Sequence, residues 1–262
     1  MTTGPVSVVV HADPDLLAPA VAARLITRMV DAQASRGSAS VVLTGGTVGI
    51  KVLAHLATCP ARDAVDWRAV DLWWGDERYL PAGDPDRNET QAREALLDTL
   101  PLDPARVHPM PASDGPDGDD VEAAAARYAE ELARAARPED QGDVPAFDVL
   151  LLGMGPDGHC ASLFPEQPAV HETERTVVGV RGAPKPPPTR VSLTMPALCA
   201  AREVWFVVAG ADKAGPVSMA LGGAGTLQVP AAGPAGRRRT LWLLDRAAAA
   251  QVPAGLARPA SP

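Results

Sequence analysis

Cysteine is scarce in this chain. Only Cys59, Cys160 and Cys199 occur, with no Cys-x-x-Cys pair and no zinc-finger spacing, which excludes a disulfide scaffold and a cysteine-built zinc site. Long apolar runs are missing too: nothing approaches the roughly 18 uninterrupted apolar residues of a transmembrane helix. The amino-terminal segment lacks the basic patch and apolar core of a signal peptide, so the expected location is cytoplasmic. Positive charge is in deficit, with 24 Lys and Arg against 32 Asp and Glu and a net charge of −8. That balance argues against a nucleic-acid surface. It does not exclude an anionic small molecule, because a few local cations can dominate a pocket.

What remains is a chain of 262 residues, 46% of them hydrophobic, enough for a substantial core. Short apolar runs at Val6–Val10, Ser40–Leu43, Val70–Trp74, Phe147–Leu152, Arg190–Thr194, Val204–Val208 and Leu241–Leu244 read as strands. Between them, helical spacing predicts a helix after Asp13 and Pro14, one through Ile50, Leu53 and Leu56, one capped by Asn88, and others over Val121–Ala136 and Lys213–Leu221. The proline-rich segment 182–188 cannot be helical. The tail from about Pro253 reads as frayed, and the loop at 112–120 as an acidic turn with no role beyond solvation. Alternation of strand and helix predicts a single α/β domain over residues 1–262, with its core at about 6–245. The expected architecture is a mostly parallel, Rossmann-like sheet with helices on both faces.

In open α/β sheets, ligands bind beyond the carboxyl ends of the strands. Four polar clusters fall there. Gly45, Gly46 and Thr47 form a glycine-rich turn into a helix, a favourable phosphate seat, although no Gly-Lys-Ser/Thr completes a Walker loop. Asp76, Glu77 and Arg78 follow a buried strand. There Arg78 suits an anion, and Asp76 suits orientation or proton transfer. Gly153-Met-Gly-Pro-Asp-Gly-His159 delivers an imidazole at the end of the most apolar strand, and histidine titrates near neutral pH. Arg190 and Lys213 supply cations for a phosphate clamp. Lys185 is a weaker candidate, since loop lysines are usually solvated. A metal site built from Asp76, Glu77, His108 and His159 lacks any supporting spacing, so no metal is expected. No Gly-x-Ser-x-Gly elbow suggests a serine triad, and Cys160 reads as a small buried residue.

Taken in order, Leu43–Thr47, Trp74–Arg78, Asp84-Pro-Asp-Arg-Asn88, Gly153–Pro165, Arg190–Thr194 and Gly210–Ala214 resemble the motifs of 6-phosphogluconolactonases, over roughly residues 6–245. The resemblance implies an α/β fold related to glucosamine-6-phosphate deaminases. It also implies hydrolysis of 6-phospho-D-glucono-1,5-lactone to 6-phosphogluconate in the pentose phosphate pathway, with no cofactor. His159 then matches the catalytic histidine, with Asp76 and Arg78 lining the pocket. Gly45, Gly46, Thr47, Arg190 and Lys213 match positions around the substrate phosphate. The N–H groups of the turn at Gly155, Asp157 and Gly158 are offered to the oxyanion. Two departures stand out. Val48-Gly49 follows Thr47 where the family has Ser or Thr then Pro, which removes a hydroxyl and loosens the turn. Cys160 replaces a threonine. The expected partner is a small sugar-phosphate lactone, with no nucleic acid or membrane, and the chain is expected to be a monomer or at most a weak dimer. Rival readings are a sugar-phosphate deaminase or isomerase of the same fold, a non-catalytic sugar-phosphate sensor and, third, a dinucleotide-binding protein.

Overall fold

A computed structural model describes residues 3–138, 140, 142–253 and 255–260. The principal sheet has seven strands: β1 (Val6–His11), β2 (Ala39–Leu43), β3 (Val70–Trp74), β5 (Val149–Leu152), β8 (Glu203–Val208), β9 (Arg239–Asp245) and β10 (Ala257–Pro259). Their order is β10-β1-β9-β8-β5-β2-β3, and every neighbouring pair is parallel. Strands β5 and β8 lie inside the sheet with every residue buried, which is why their sequences are continuous apolar runs rather than alternating ones.

Helices α1 (Pro14–Arg36), α2 (Gly46–Thr58), α3 (Asn88–Ala95), α4 (Val121–Ala135), α5 (Met195–Leu198) and α6 (Ala214–Leu221) flank the sheet. Helix α1 starts as expected: Asp13 Oδ1 accepts from the Leu16 amide at 2.8 Å and Pro14 opens the first turn. It ends at Gly37, whose φ of +77° suits a left-handed cap.

Three expectations need correction. First, β7 (Arg190–Leu193) does not join the parallel sheet. It pairs antiparallel with β4 (Asp76–Arg78) and with β6 (Val177–Val180), forming a separate three-stranded sheet. No helix separates β6 from β7, so a parallel crossover is not available to them. Second, the tail is not wholly frayed, since Ala257–Pro259 adds β10 alongside β1; Ala254, Ser261 and Pro262 lie outside the described residues. Third, the acidic loop is structural. Asp120 caps α4 through the amides of Glu122 and Ala123. Asp117 takes both Nε and Nη2 of Arg127 at 2.7 Å. The Tyr79 hydroxyl donates to the Gly118 carbonyl at 2.5 Å.

Candidate active site

A cavity of about 480 Å³ opens at the carboxyl edge of the parallel sheet, lined by segments that follow β2, β3, β5 and β8. It brings together Gly45, Gly46, Thr47, Asp76, Arg78, Gly155, His159, Arg190 and Lys213, which are scattered over 169 positions of the sequence. Asp157 reaches the same place through His159.

The His159 segment is built by glycine. Gly158 turns with φ +84°, a conformation other residues adopt at a cost. A Cβ on Gly155 would lie 2.0 Å from His159 Nδ1, so only glycine leaves room for the ring. The turn closes with Gly155 N–H donating to the His159 carbonyl at 2.9 Å and Gly158 N–H to the Gly155 carbonyl at 3.0 Å. This corrects the expectation that these two amides face an oxyanion: both are engaged inside the turn. Asp157 has a different task. Its Oδ1 lies 2.5 Å from His159 Nδ1. Burial pushes the Asp157 carboxyl upward, but the hydrogen bond and charge of His159, helped by Lys185, outweigh it and hold the carboxyl at about 2. An ionised carboxylate only accepts, so Nδ1 carries the ring proton and Nε2 is the bare nitrogen. Phe164 packs on the ring at 4.4 Å between centroids. Ala161, two residues on, holds a left-handed φ of +49° beside the cavity.

Asp76, Glu77 and Arg78 separate into three roles. Asp76 is buried and accepts from Ser162 Oγ at 2.6 Å, which ties the segment after His159 to β4. Its hydrogen-bond partner is therefore Ser162 and not Arg78. Arg78 lines the cavity and donates from Nη1 to the Asp86 carbonyl at 2.5 Å. Glu77 is fully buried and never reaches the cavity; it accepts from the amides of Arg78, Asn88 and Glu89. Burial pushes the Glu77 carboxyl up to about 7, against the opposing pull of Arg87 and those amides. Glu77 thus caps α3, and Asn88, expected as the cap, is instead the first helical residue. Asn88 lines the cavity, and sequence reasoning missed it as a site residue because a capping role already accounted for it.

The cationic side also differs in detail. Arg190 is buried, and its guanidinium donates to the carbonyls of Lys185, Pro186 and Pro187 at 3.0–3.2 Å. It also stands over the Phe164 ring at 5.7 Å. Arg190 therefore anchors the proline-rich loop, and that loop carries Lys185 to the cavity. Lys185, the weaker candidate in the sequence, thus lines the cavity, and its charge is felt by both Asp157 and Asp212. Lys213 pairs with Asp212 at 2.9 Å. Opposite them, α2 begins at Gly46, so the first amides of α2 have no carbonyl one turn earlier within the helix. The Val48-Gly49 departure does not loosen this turn: a Cβ on Gly49 would lie 2.7 Å from the Thr44 carbonyl oxygen, a packing that glycine alone allows.

His108, one of the candidate metal ligands, lies elsewhere. It stacks on Trp73 at 3.7 Å and pairs with Glu131 at 2.7 Å. Cys160 is fully buried, and burial raises its thiol far above neutrality, so it is no nucleophile. Gly153, Gly155 and Gly158 do have the G-x-G-x-x-G spacing. However, a turn and not a helix follows them, which leaves no helix N-terminus for a pyrophosphate.

Comparison with known proteins bears on the family and the fold. The family described as glucosamine-6-phosphate isomerases/6-phosphogluconolactonase matches residues 12–242. A 6-phosphogluconolactonase of Streptomyces coelicolor is 69% identical over 253 residues, covering 97% of each chain. One of Mycobacterium tuberculosis is 50% identical over 247 residues, covering 94% of this chain and 98% of that one. The structure of 6-phosphogluconolactonase from Trypanosoma brucei superposes with a TM-score of 0.82 at 30% identity, over 96% of this chain and all of that one. With the motifs, the fold and the relatives in agreement, the chain belongs to the 6-phosphogluconolactonase family within the glucosamine-6-phosphate isomerase/6-phosphogluconolactonase group.

Proposed function

We propose that this chain hydrolyses 6-phospho-D-glucono-1,5-lactone to 6-phospho-D-gluconate in the oxidative pentose phosphate pathway. The observation that carries the mechanism is the Asp157–His159 pair at the carboxyl edge of the sheet, with Nε2 left bare. Nε2 takes a proton from water as the water oxygen attacks the lactone carbonyl carbon. The tetrahedral oxyanion is met by Arg78, because the Gly155 and Gly158 amides are engaged in the turn. The protonated imidazole then returns its proton to the departing ring oxygen. General-base catalysis of this kind contributes about 10²–10⁴-fold. A lactone needs no covalent nucleophile, and none is assigned.

The phosphate is held at the far end by Lys213 and Lys185 and by the first-turn amides of α2 at Gly46 and Thr47. Arg190 contributes by fixing the Lys185 loop, and Asp76 by fixing Ser162 and with it the His159 segment. Three unbridged cysteines suit the cytoplasm.

The test is a lactone-clearance assay in which glucose 6-phosphate is oxidised in situ by its dehydrogenase. Clearance well above the spontaneous rate, with no ammonia released from glucosamine 6-phosphate, is the expected result. Ammonia release without lactone clearance would assign the chain to the deaminases instead.

A further inference from the structure

The antiparallel sheet grips the chain just after His159 through the side chain of Ser192. Asp76 of β4 and Ser192 of β7 stand directly opposite each other in the ladder, and Ser162 bridges the two. Its hydroxyl donates to Asp76 Oδ2 at 2.6 Å, and its amide N–H donates to Ser192 Oγ at 3.2 Å. The Ser192 hydroxyl gives its own proton to the Leu193 carbonyl at 3.0 Å, so the Ser162 amide meets a lone pair. Both serines are fully buried, where an unpaired N–H would be costly.

The grip lies close to the imidazole. On one side of His159, the Gly158 carbonyl accepts from the Ala231 amide at 3.0 Å. On the other side, Ser162 is fixed to the small sheet. His159, Cys160 and Ala161 run between the two holds. Cys160 is fully buried, and Ala161 keeps its left-handed φ of +49°. A residue other than glycine stays in that conformation only where its surroundings over-determine it. The hold at Gly158 is backbone to backbone, whereas the hold at Ser162 is made by the side chains of Asp76 and Ser192. Asp76 lines the cavity itself. Ser192 does not, so it reaches the reaction only through the segment that it holds.

Resting on the lactonase reading above, we propose that Ser192 is a positioning residue. By accepting the Ser162 N–H, its hydroxyl keeps Ala161 in its left-handed turn and His159 Nε2 where water attacks the lactone carbonyl. The phosphate seat is built from other segments, the start of α2, Lys185 and Lys213. Loss of the Ser192 hydroxyl therefore acts on the chemical step and spares binding. Misplacing a catalytic group by about 1 Å costs on the order of 10²-fold.

The experiment compares wild type, Ser192→Ala and Ser192→Thr in lactone clearance and in calorimetric binding of 6-phosphogluconate. Ser192→Ala is expected to lower kcat about 10–100-fold, with phosphogluconate affinity within about twofold of wild type. Threonine restores the hydroxyl and suits a strand, so Ser192→Thr should recover most of kcat. In a His159→Ala background, Ser192→Ala should cost little more, because the group that it positions is gone. A Ser192→Ala enzyme as fast as wild type, a threonine variant no better than alanine, or a full kcat loss that persists without the imidazole overturns the proposal. So does a kcat loss matched by an equal loss of affinity, which would mean that Ser192 acts on β7 and its neighbour Arg190 instead. Wild type alone gives a reading independent of how the variants fold. The Ser162 amide should exchange with solvent as slowly as the ladder amides of β7, and exchange as fast as an exposed turn contradicts the hold. Failure of the lactonase reading is separate, since it would appear as a wild type that clears no lactone while the Ser162 amide stays protected.

Discussion

The two edges of the parallel sheet treat their polar groups in opposite ways. At the amino edge each buried carboxylate meets arginine. Asp148, at the entrance to β5, takes Arg36, Arg202 and the Ser40 amide. Glu203, opening β8, takes Arg28 at 2.9 Å, Arg239 at 2.7 Å and the Trp205 indole N–H at 2.9 Å. Asp71 takes Arg106 at 2.9 Å. At the carboxyl edge, His159, Arg78, Lys185, Lys213 and the first residues of α2 line a cavity instead. Similar residue types therefore serve two ends. Ion pairs at the amino edge hold the strands in place, whereas the groups at the carboxyl edge are gathered around a cavity.

The comparison breaks most visibly if a charge at the amino edge proves catalytic. Asp148→Ala leaves Arg36 and Arg202 without their shared partner. It is expected to cost about 3 kcal/mol in urea unfolding while kcat stays within about twofold; a selective loss of kcat would contradict the division. Arg190 sharpens the comparison from the other side, because it lies at the catalytic edge but is tied to protein groups, as the amino-edge arginines are. Arg190→Ala is expected to lower stability by about 1–2 kcal/mol, through three unpaired carbonyls, and to raise KM through the freed Lys185 loop. Unchanged stability with a raised KM would make Arg190 a direct phosphate ligand. Lys213→Gln removes a ligand contact together with the partly exposed pair to Asp212, so KM should rise about tenfold with kcat nearly constant, as steady-state kinetics would report. The smallest effect concerns acid. Asp157 is held at about 2, below the roughly 3.9 of an unfolded aspartate. Its contribution to stability is therefore complete above about pH 4 and is lost as pH falls toward 2. Asp157→Asn should flatten that part of the acid-unfolding curve, and an identical slope in both proteins would argue against the pair.

Much of this arrangement was legible in the sequence. The Phe147–Leu152 run and the glycines after it located His159, and the ends of three other apolar strands located the remaining polar clusters. What escaped was long-range. Nothing local in Val177–Val180 tells that it pairs with β7 rather than joining the main sheet. Arg190 reads equally well as a phosphate ligand or a loop anchor until its carbonyl partners are seen. Lys185 looked solvated because the loop that carries it is held by a residue five positions away. Glu77 took a position expected of the pocket, but it points into the protein and frees Asn88 from capping.

The most direct test of the account is clearance of freshly generated 6-phosphogluconolactone by wild type and His159→Ala at saturating substrate. The account predicts that kcat falls about 10²–10⁴-fold in a variant that unfolds at the wild-type urea concentration and still binds 6-phosphogluconate. A folded His159→Ala that clears the lactone within a few-fold of wild type would contradict it.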